Sequence, residues 1–267
     1  MIENVLNPDA STPSAFLIYI VIFFIAILFR YFVAAGIFYY YYYVWNSAKF
    51  SERRLSKRKL RKDQLKKEIV WSTKSSAIFA LVGAGTYWLW QQGFTAVYLD
   101  VAEFGYWYLP LSLVIILLIH ETYYYWIHRW MHNPKIFRIV HKVHHDSFTP
   151  TPWTAFSFHP WESLIEALIL PLILLVIPVN VYVLGLYLLL MTVSSVVNHL
   201  DIEIYPVAFQ KSWFGKQFIG ATHHHYHHSE YVTNFGLYFT FWDRWMGTES
   251  TKMEPDIKYT SKKPVAE

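Results

Sequence analysis

The 267-residue chain contains no cysteine. That absence excludes disulfides, iron–sulfur clusters and thiolate zinc sites, so any metal here takes nitrogen or oxygen ligands. Charge is also scarce: Asp, Glu, Lys and Arg make up only 16%, against about a quarter in a soluble domain. From Gln91 to Tyr106 there is no Lys or Arg at all. Apolar residues fill the gap, with 54% hydrophobic and 20% aromatic, gathered into runs rather than spread evenly. A clustered apolar excess marks a membrane protein. The net charge of +4 and pI near 9.0 raise nucleic acid as a partner. The placement of the basic residues argues against it, and no nucleic-acid partner is expected.

Residues 15–45 open with AFLIYIVIFFIAILF and pass into YFVAAGIFYYYYYVW. The first part is long enough to cross most of a bilayer, and the tyrosine run with Trp45 resembles an interfacial aromatic belt. No basic stretch precedes it, so a secretory signal peptide is not expected. Residues 46–74 then carry eleven Lys or Arg against three acids. Further apolar segments cover about 75–91, 105–127, 161–177 and 181–198, the last two joined by Pro178 to Asn180. So short a connection demands an antiparallel hairpin.

The contrast across the second segment orients the chain: 46–74 faces the cytoplasm and 92–105 the other side. His199 and everything after Asp201 then return to the cytoplasmic side, with the N-terminus outside. The expected fold is an all-α polytopic membrane bundle of four to five spans, including a short hairpin, with a cytoplasmic histidine-rich helical cap. It divides into N-terminal spans with the basic loop (1–119), a histidine-box domain (120–249) and a polar tail (250–267). The basic loop suits contact with anionic headgroups, worth about 1 kcal/mol per basic residue near the surface, or docking of an acidic redox partner.

On this topology twelve of the thirteen histidines, all but His120, lie at or beyond cytoplasmic helix ends. Three clusters stand out. HRWMH sets His128 and His132 four apart, and HKVHH sets His141, His144 and His145 at i, i+3 and i+4. HHYHH repeats that spacing with His224, His227 and His228. On a helix, positions i+3 and i+4 lie at about −60° and +40° from the first, so each triplet presents three imidazoles from one arc. A lone histidine on an apolar face is usually a satisfied core residue. Eight histidines in three clusters on one side of a membrane are poorly explained by chance. An affinity-tag reading of His223 to His228 also fails, because the run is internal and followed by NFGLYFTFWDRWMGT. Within the run, His223 and His225 point away from the arc and are expected as supporting or solvent-facing residues.

His159 in FHPWE and His199 in NHLDIEIYP sit where the same site would draw on them, which makes ten. One ion takes about four to six ligands, so eight to ten histidines imply two metal ions. Imidazole suits zinc, copper, iron and nickel alike.

HRWMH, HKVHH, FHPWE, NH and HHYHH followed by TNFGLYFTFWDRWMGT resemble the sterol desaturase / fatty acid hydroxylase superfamily, integral-membrane non-haem di-iron oxygenases. The resemblance covers about 120–249, and the N-terminal spans match only in hydrophobic character. It implies two iron ions that use O2 and two electrons to hydroxylate, or desaturate, an aliphatic C–H bond of a lipid. The iron ligands would come from His128, His132, His141, His144, His145, His159, His199, His224, His227 and His228. Some lipid hydroxylases of the superfamily carry a second histidine four residues after the one near the last span. Here Glu203 stands at that offset from His199. Either Glu203 supplies a carboxylate or His159 fills the gap, as in the sterol-oxidising branch, and HPWE favours His159.

Imidazole ligands need acceptors that fix the second ring nitrogen. The candidates are Glu121, Glu162, Asp146, Asp201, Glu230 and Asp243. Glu121, seven residues before His128 and deeper in the membrane, is costly unless paired; it acts either in function or as a structural partner of His120 or a tyrosine. The stripe YYYWIHRW reads mainly as packing, with Tyr124 or Tyr125 available to line a tunnel. With no haem or flavin domain in the sequence, electrons must come from a separate protein, cytochrome b5-, ferredoxin- or flavin reductase-like. The rival reading is a membrane metal transporter or metal-binding protein. Transporters, however, hold their ligands near mid-membrane, where only His120 lies. The expected location is the bacterial cytoplasmic membrane, or the endoplasmic reticulum in a eukaryote, with the active site on the cytoplasmic face.

Overall fold

A computed structural model describes residues 9–253. The first eight residues, and the expected polar tail beyond Met253, lie outside the described residues. The protein is mostly helical. Helix α1 spans Pro13–Tyr39, with the Thr12 side chain accepting from the Ala15 N–H and Pro13 at its first position, a favoured start because that N–H has no helical partner anyway. It runs on through Tyr40–Trp45 in a wider π-helical turn made of the tyrosine run. After α2 (Ser47–Ser51), the chain forms α3 (Gln64–Gln91). Ala15 and Tyr19 of α1 pack against Ala84 of α3, small side chains letting the two helices approach closely.

Helix α4 (Tyr108–Met131) is followed by the short α5 (Pro134–Val140) and α6 (Lys142–His145). Helices α7 (Pro160–Leu174) and α8 (Val181–Asn198) then form the hairpin. The chain closes with α9 (Val207–Lys211), α10 (Ala221–Glu230) and α11 (Phe241–Trp245). Ile116 of α4, Ile169 and Ile173 of α7, and Val183 and Tyr187 of α8 make one core. Tyr31, Ala34 and Ala35 of α1 make another with Ala155, Phe156 and Val196.

Among the described residues three helices are long and apolar enough to cross a membrane: Pro13–Trp45, Tyr108–Met131 and Val181–Asn198. The other two expected segments differ for physical reasons. Helix α7 has 15 residues with Pro171 inside it, about 22 Å at the helical rise against a hydrocarbon core of about 30 Å. Helix α3 is long, but its apolar part is diluted by Ser75, Ser76, Gly83, Gly85, Thr86 and Gln91, and the turns before it carry Lys66, Lys67, Glu68 and Lys74.

The bundle has two distinct ends. At one, Val97–Tyr98 (β1) pairs in parallel with Val179–Asn180 (β2), and the Ala96 N–H donates to the Leu174 carbonyl at 2.7 Å. The cation-free stretch 92–105 and the short hairpin turn therefore share that end. At the other, the basic loop meets the chain after α8: the Leu55 and Ser56 N–H groups donate to the Asp201 carbonyl and carboxylate. Arg53 donates to the Glu203 carbonyl. The loop is also less uniformly solvated than its charge suggests. Glu68, 1% exposed, accepts from Gln64, Ser147, Thr151 and Thr154, tying α3 to the loop that follows α6.

Candidate metal centre

Nine histidines meet at the end of the bundle that holds the basic loop. His128, His132, His141, His145 and His227 bring their ring nitrogens within 4.8 Å of one another, and His144, His199, His224 and His228 form a second such group. His128 ends α4 and His132 caps it, four residues on. His141 sits at the junction of α5 and α6, and His144 and His145 end α6. His199 caps α8. Tyr231, at φ 65°, terminates α10 just after His227 and His228, turning the chain so that the Thr233 carbonyl faces back to His227 Nδ1 at 2.9 Å.

Each H-x-x-H-H triplet divides between the groups. His141 and His145, one turn apart, join the first, while His144 goes to the second. In α10 the order is reversed: His224 and His228 join the second group and His227 the first. The two helices thus exchange ligands across both groups, which is how two sites come to be built side by side.

The nitrogens lie at ligand spacing. The Nε2–Nε2 separation is 3.1 Å for His128–His141, 3.0 Å for His145–His227 and 3.1 Å for His144–His199. It is 2.8 Å for His199–His224 and 3.1 Å for His224–His228. Two nitrogens about 2.1 Å from a shared ion at right angles stand about 3.0 Å apart. Five neighbouring pairs at this distance fit two metal ions. His132 Nε2, in the first group, is buried without a hydrogen-bond partner among the described residues. Burial, and then the neighbouring imidazoles, push His141, His144, His145, His224 and His228 well below the usual imidazole range. Neutral rings with free lone pairs are the form that binds a metal.

Four of the opposite ring nitrogens are fixed, those of His128, His141, His199 and His227, while Nδ1 of His144, His145, His224 and His228 has no partner among the described residues. His128 Nδ1 donates to the Phe235 carbonyl at 2.9 Å and His199 Nδ1 to the Ser195 carbonyl at 2.7 Å. His141 Nδ1 meets Glu162 Oε1 at 2.6 Å, both residues fully enclosed. Such partners set the tautomer and raise ligand basicity. Of the six acids considered from sequence, Glu162 alone touches a grouped histidine among the described residues. Asp243 acts one step back: it accepts from the Phe235 and Gly236 N–H groups and so holds the carbonyl that holds His128. Asp201 faces His225 at 3.1 Å, Glu230 pairs with Lys252, and Asp146 pairs with Lys142 on the surface.

Three expected site residues lie elsewhere. His159 is not brought to either group, because its ring caps α7, with Nδ1 accepting from the Trp161 N–H. Glu203 is in neither group: its carboxylate accepts from the Tyr205 and Thr222 N–H groups and anchors the start of α10. Glu121 accepts from the Leu237, Tyr238 and Phe239 N–H groups, fastening the 235–239 loop to α4. His120 takes the Tyr187 and Tyr238 hydroxyls at Nδ1, each 2.9 Å away. His223 and His225 stay outside both groups. The backbone carbonyls of Ser195, Thr233 and Phe235 left no mark in the sequence as acceptors.

The model of the fatty acid hydroxylase family matches residues 113–248, just over half the chain and all nine grouped histidines. Lathosterol oxidase from Mus musculus is 33% identical over 68% of this chain and 60% of its own length. The Homo sapiens enzyme of the same name is 30% identical over the same shares. A Delta(7)-sterol 5(6)-desaturase from Gibberella zeae is 26% identical over 72% of this chain and 58% of its own. The chain thus spans about three fifths of the curated relatives it matches. No solved structure matches it.

Proposed function

The chain belongs to the fatty acid hydroxylase family, and on that premise we propose that it is a membrane-bound di-iron oxidoreductase acting on a C–H bond of a lipid. The observation that carries the reading is the division of nine histidines into a group of five and a group of four, with Nε2 atoms at ligand spacing. His128, His132, His141, His145 and His227 would hold one iron, and His144, His199, His224 and His228 the other. Bound there, iron supplies redox chemistry with O2, drawing two electrons from a separate donor protein of the cytochrome b5, ferredoxin or flavin reductase kind.

The protein's own part is to place and enclose. Glu162 and the Phe235, Thr233 and Ser195 carbonyls hold His141, His128, His227 and His199 each in one orientation. Eight of the nine histidines are buried, which keeps bulk water from a reactive centre. On the membrane side Tyr124 closes the first group, its ring 4.9 Å from that of His128. A lipid chain sliding along α4 would meet the histidines at this point. The sterol names of the relatives favour a sterol-like substrate over a fatty acyl one.

In this reading α1, α3, α4 and α8 cross the bilayer, α7 is the short arm of the hairpin, and the basic loop puts the histidine end in the cytoplasm. The metal-transporter alternative is weaker, because the ligands lie at helix ends rather than near mid-span. Purified protein supplied with iron, a chemical reductant and either a Δ7-sterol or a fatty acyl lipid tests the proposal. A product that gains one oxygen or loses two hydrogens, formed only with O2, supports it. Reductant-driven O2 uptake that no lipid alters, with no product, counts against it.

A further inference from the structure

A cleft lined by none of the nine grouped histidines opens at the histidine end of the bundle, beside the start of α10. It encloses about 920 Å³ between the 203–220 segment and the 244–253 segment, with Lys211, Lys216, Thr222 and Arg244 among its walls. Thr222 is 1% exposed, and its hydroxyl is buried with no hydrogen-bond partner among the described residues; Gln210 Oε1 in the same wall is in the same state. Buried polar atoms are normally paired, so two orphans lining one cleft point to a polar ligand.

The charges name its class. The acids of the lining are already engaged: Glu203 by the Tyr205 and Thr222 N–H groups, and Glu249 by Arg244 at 3.1 Å. Lys211 and Lys216 have no acid within ion-pair distance among the described residues. With Lys211, Lys216 and Arg244 against Glu203 and Glu249, the cleft carries a net positive charge and a hydroxyl in its wall, which suits an anionic, phosphate-like group.

Its height relative to the bilayer names the source. The Trp242 indole N–H donates to Thr122 Oγ1, and its ring stacks on Tyr125. Thr122 lies nine residues before the end of α4, about 14 Å back along the helix. Arg244, two residues after Trp242, donates to the Lys216 carbonyl at 2.6 Å. If α4 spans, its 24 residues reach about 36 Å against a hydrocarbon core of about 30 Å. Thr122 then lies roughly 8–11 Å below the hydrocarbon edge, and the Trp242 side chain that reaches it brings α11 and the adjoining cleft to the membrane. Trp213, Phe214 and Trp245 beside it are exposed, as are Trp126 and Trp130 on α4. Aromatic and basic side chains together mark a membrane interface.

We propose that this cleft binds the phosphate headgroup of an anionic phospholipid, with Lys211, Lys216 and Thr222 as its ligands, seating the cap on the membrane. The inference rests on the reading that α4 crosses the bilayer, but not on the chemistry of the iron site. The test is native mass spectrometry of the full chain, released from nanodiscs of equal phosphatidylglycerol and phosphatidylcholine. Wild-type protein should retain phosphatidylglycerol in preference. Lys211→Gln with Lys216→Gln should cut that retention at least tenfold, since each basic residue near the surface contributes about fivefold. Thr222→Val should weaken it with the charges intact.

Metal content, read on the same samples, should be unchanged, separating loss of the lipid site from loss of the fold or of the metal centre. Equal retention of both lipids, or retention unaltered in the double variant with metal intact, overturns the proposal. Displacement of the lipid by millimolar inorganic phosphate would assign the cleft to free phosphate and overturn the lipid assignment too.

Discussion

Glu162 Oε1 lies 2.6 Å from His141 Nδ1, and both side chains are cut off from solvent. The carboxylate comes from the first turn of α7, the imidazole from the junction of α5 and α6. One contact thus couples the membrane scaffold to the five-histidine group. Glu162→Gln keeps the shape and removes the charge. Losing such a partner typically weakens metal binding by about 10–100-fold. Chelator competition should show one ion of each pair becoming weaker by that order while the other is unaffected. Equal chelator resistance in wild type and variant would show that Glu162 does not support the metal.

His159 and Glu203 are both outside the histidine groups, so neither substitution should remove metal. His159→Ala loses a helix cap, worth about 0.5–2 kcal/mol. Glu203→Ala strands the buried Thr222 N–H, at a cost of about 1–3 kcal/mol. Both variants should bind metal at wild-type stoichiometry with lowered melting temperatures. A loss of one ion in either variant would place that residue among the ligands after all.

Gly236 is the tightest point of the 235–239 loop. A Cβ there would stand 2.6 Å from Ile219 Cδ1 and 2.8 Å from Glu121 Oε1. Gly236→Ala should therefore push the loop off α4, destabilise the protein by about 1–3 kcal/mol and disturb the Phe235 carbonyl that orients His128. Thermal melting checks the first effect and metal retention the second. A variant matching wild type in both would mean the loop has slack.

The membrane orientation is open to cysteine scanning, because the chain has no cysteine of its own. Arg58→Cys and Ser229→Cys, both exposed and at the histidine end, should be shielded from an impermeant thiol reagent in intact cells. Gln92→Cys, exposed at the other end, should react. The eleven-to-none basic contrast across α3 is the physical ground. Labelling of Ser229→Cys on the side opposite to Arg58→Cys would contradict the shared end seen in the structure.

Much of the site was legible because imidazole spacing on a helix is a local property. The i, i+3, i+4 pattern picked out His141, His144, His145, His224, His227 and His228, and all six are in the groups. Their allocation between two groups was not legible, since it depends on how α6 and α10 face each other. His159 read as a ligand because a histidine before a span is well placed for one, yet the same position suits a helix cap. Glu203 is similar: its offset from His199 matches a ligand position, while its carboxylate accepts from backbone amides. The three longest apolar runs were plain from sequence. The two-residue pairing of Val97–Tyr98 with Val179–Asn180 was not, because strands so short carry no periodicity.

Metal analysis on protein purified as an active enzyme tests the central claim most directly. The account predicts two iron ions per chain, one for each histidine group. It further predicts that His224→Ala, which alters only the group of four, and His132→Ala, which alters only the group of five, each lose or weaken a different ion. Active protein with a single ion, or with none, would contradict the dinuclear centre and the oxidoreductase reading built on it.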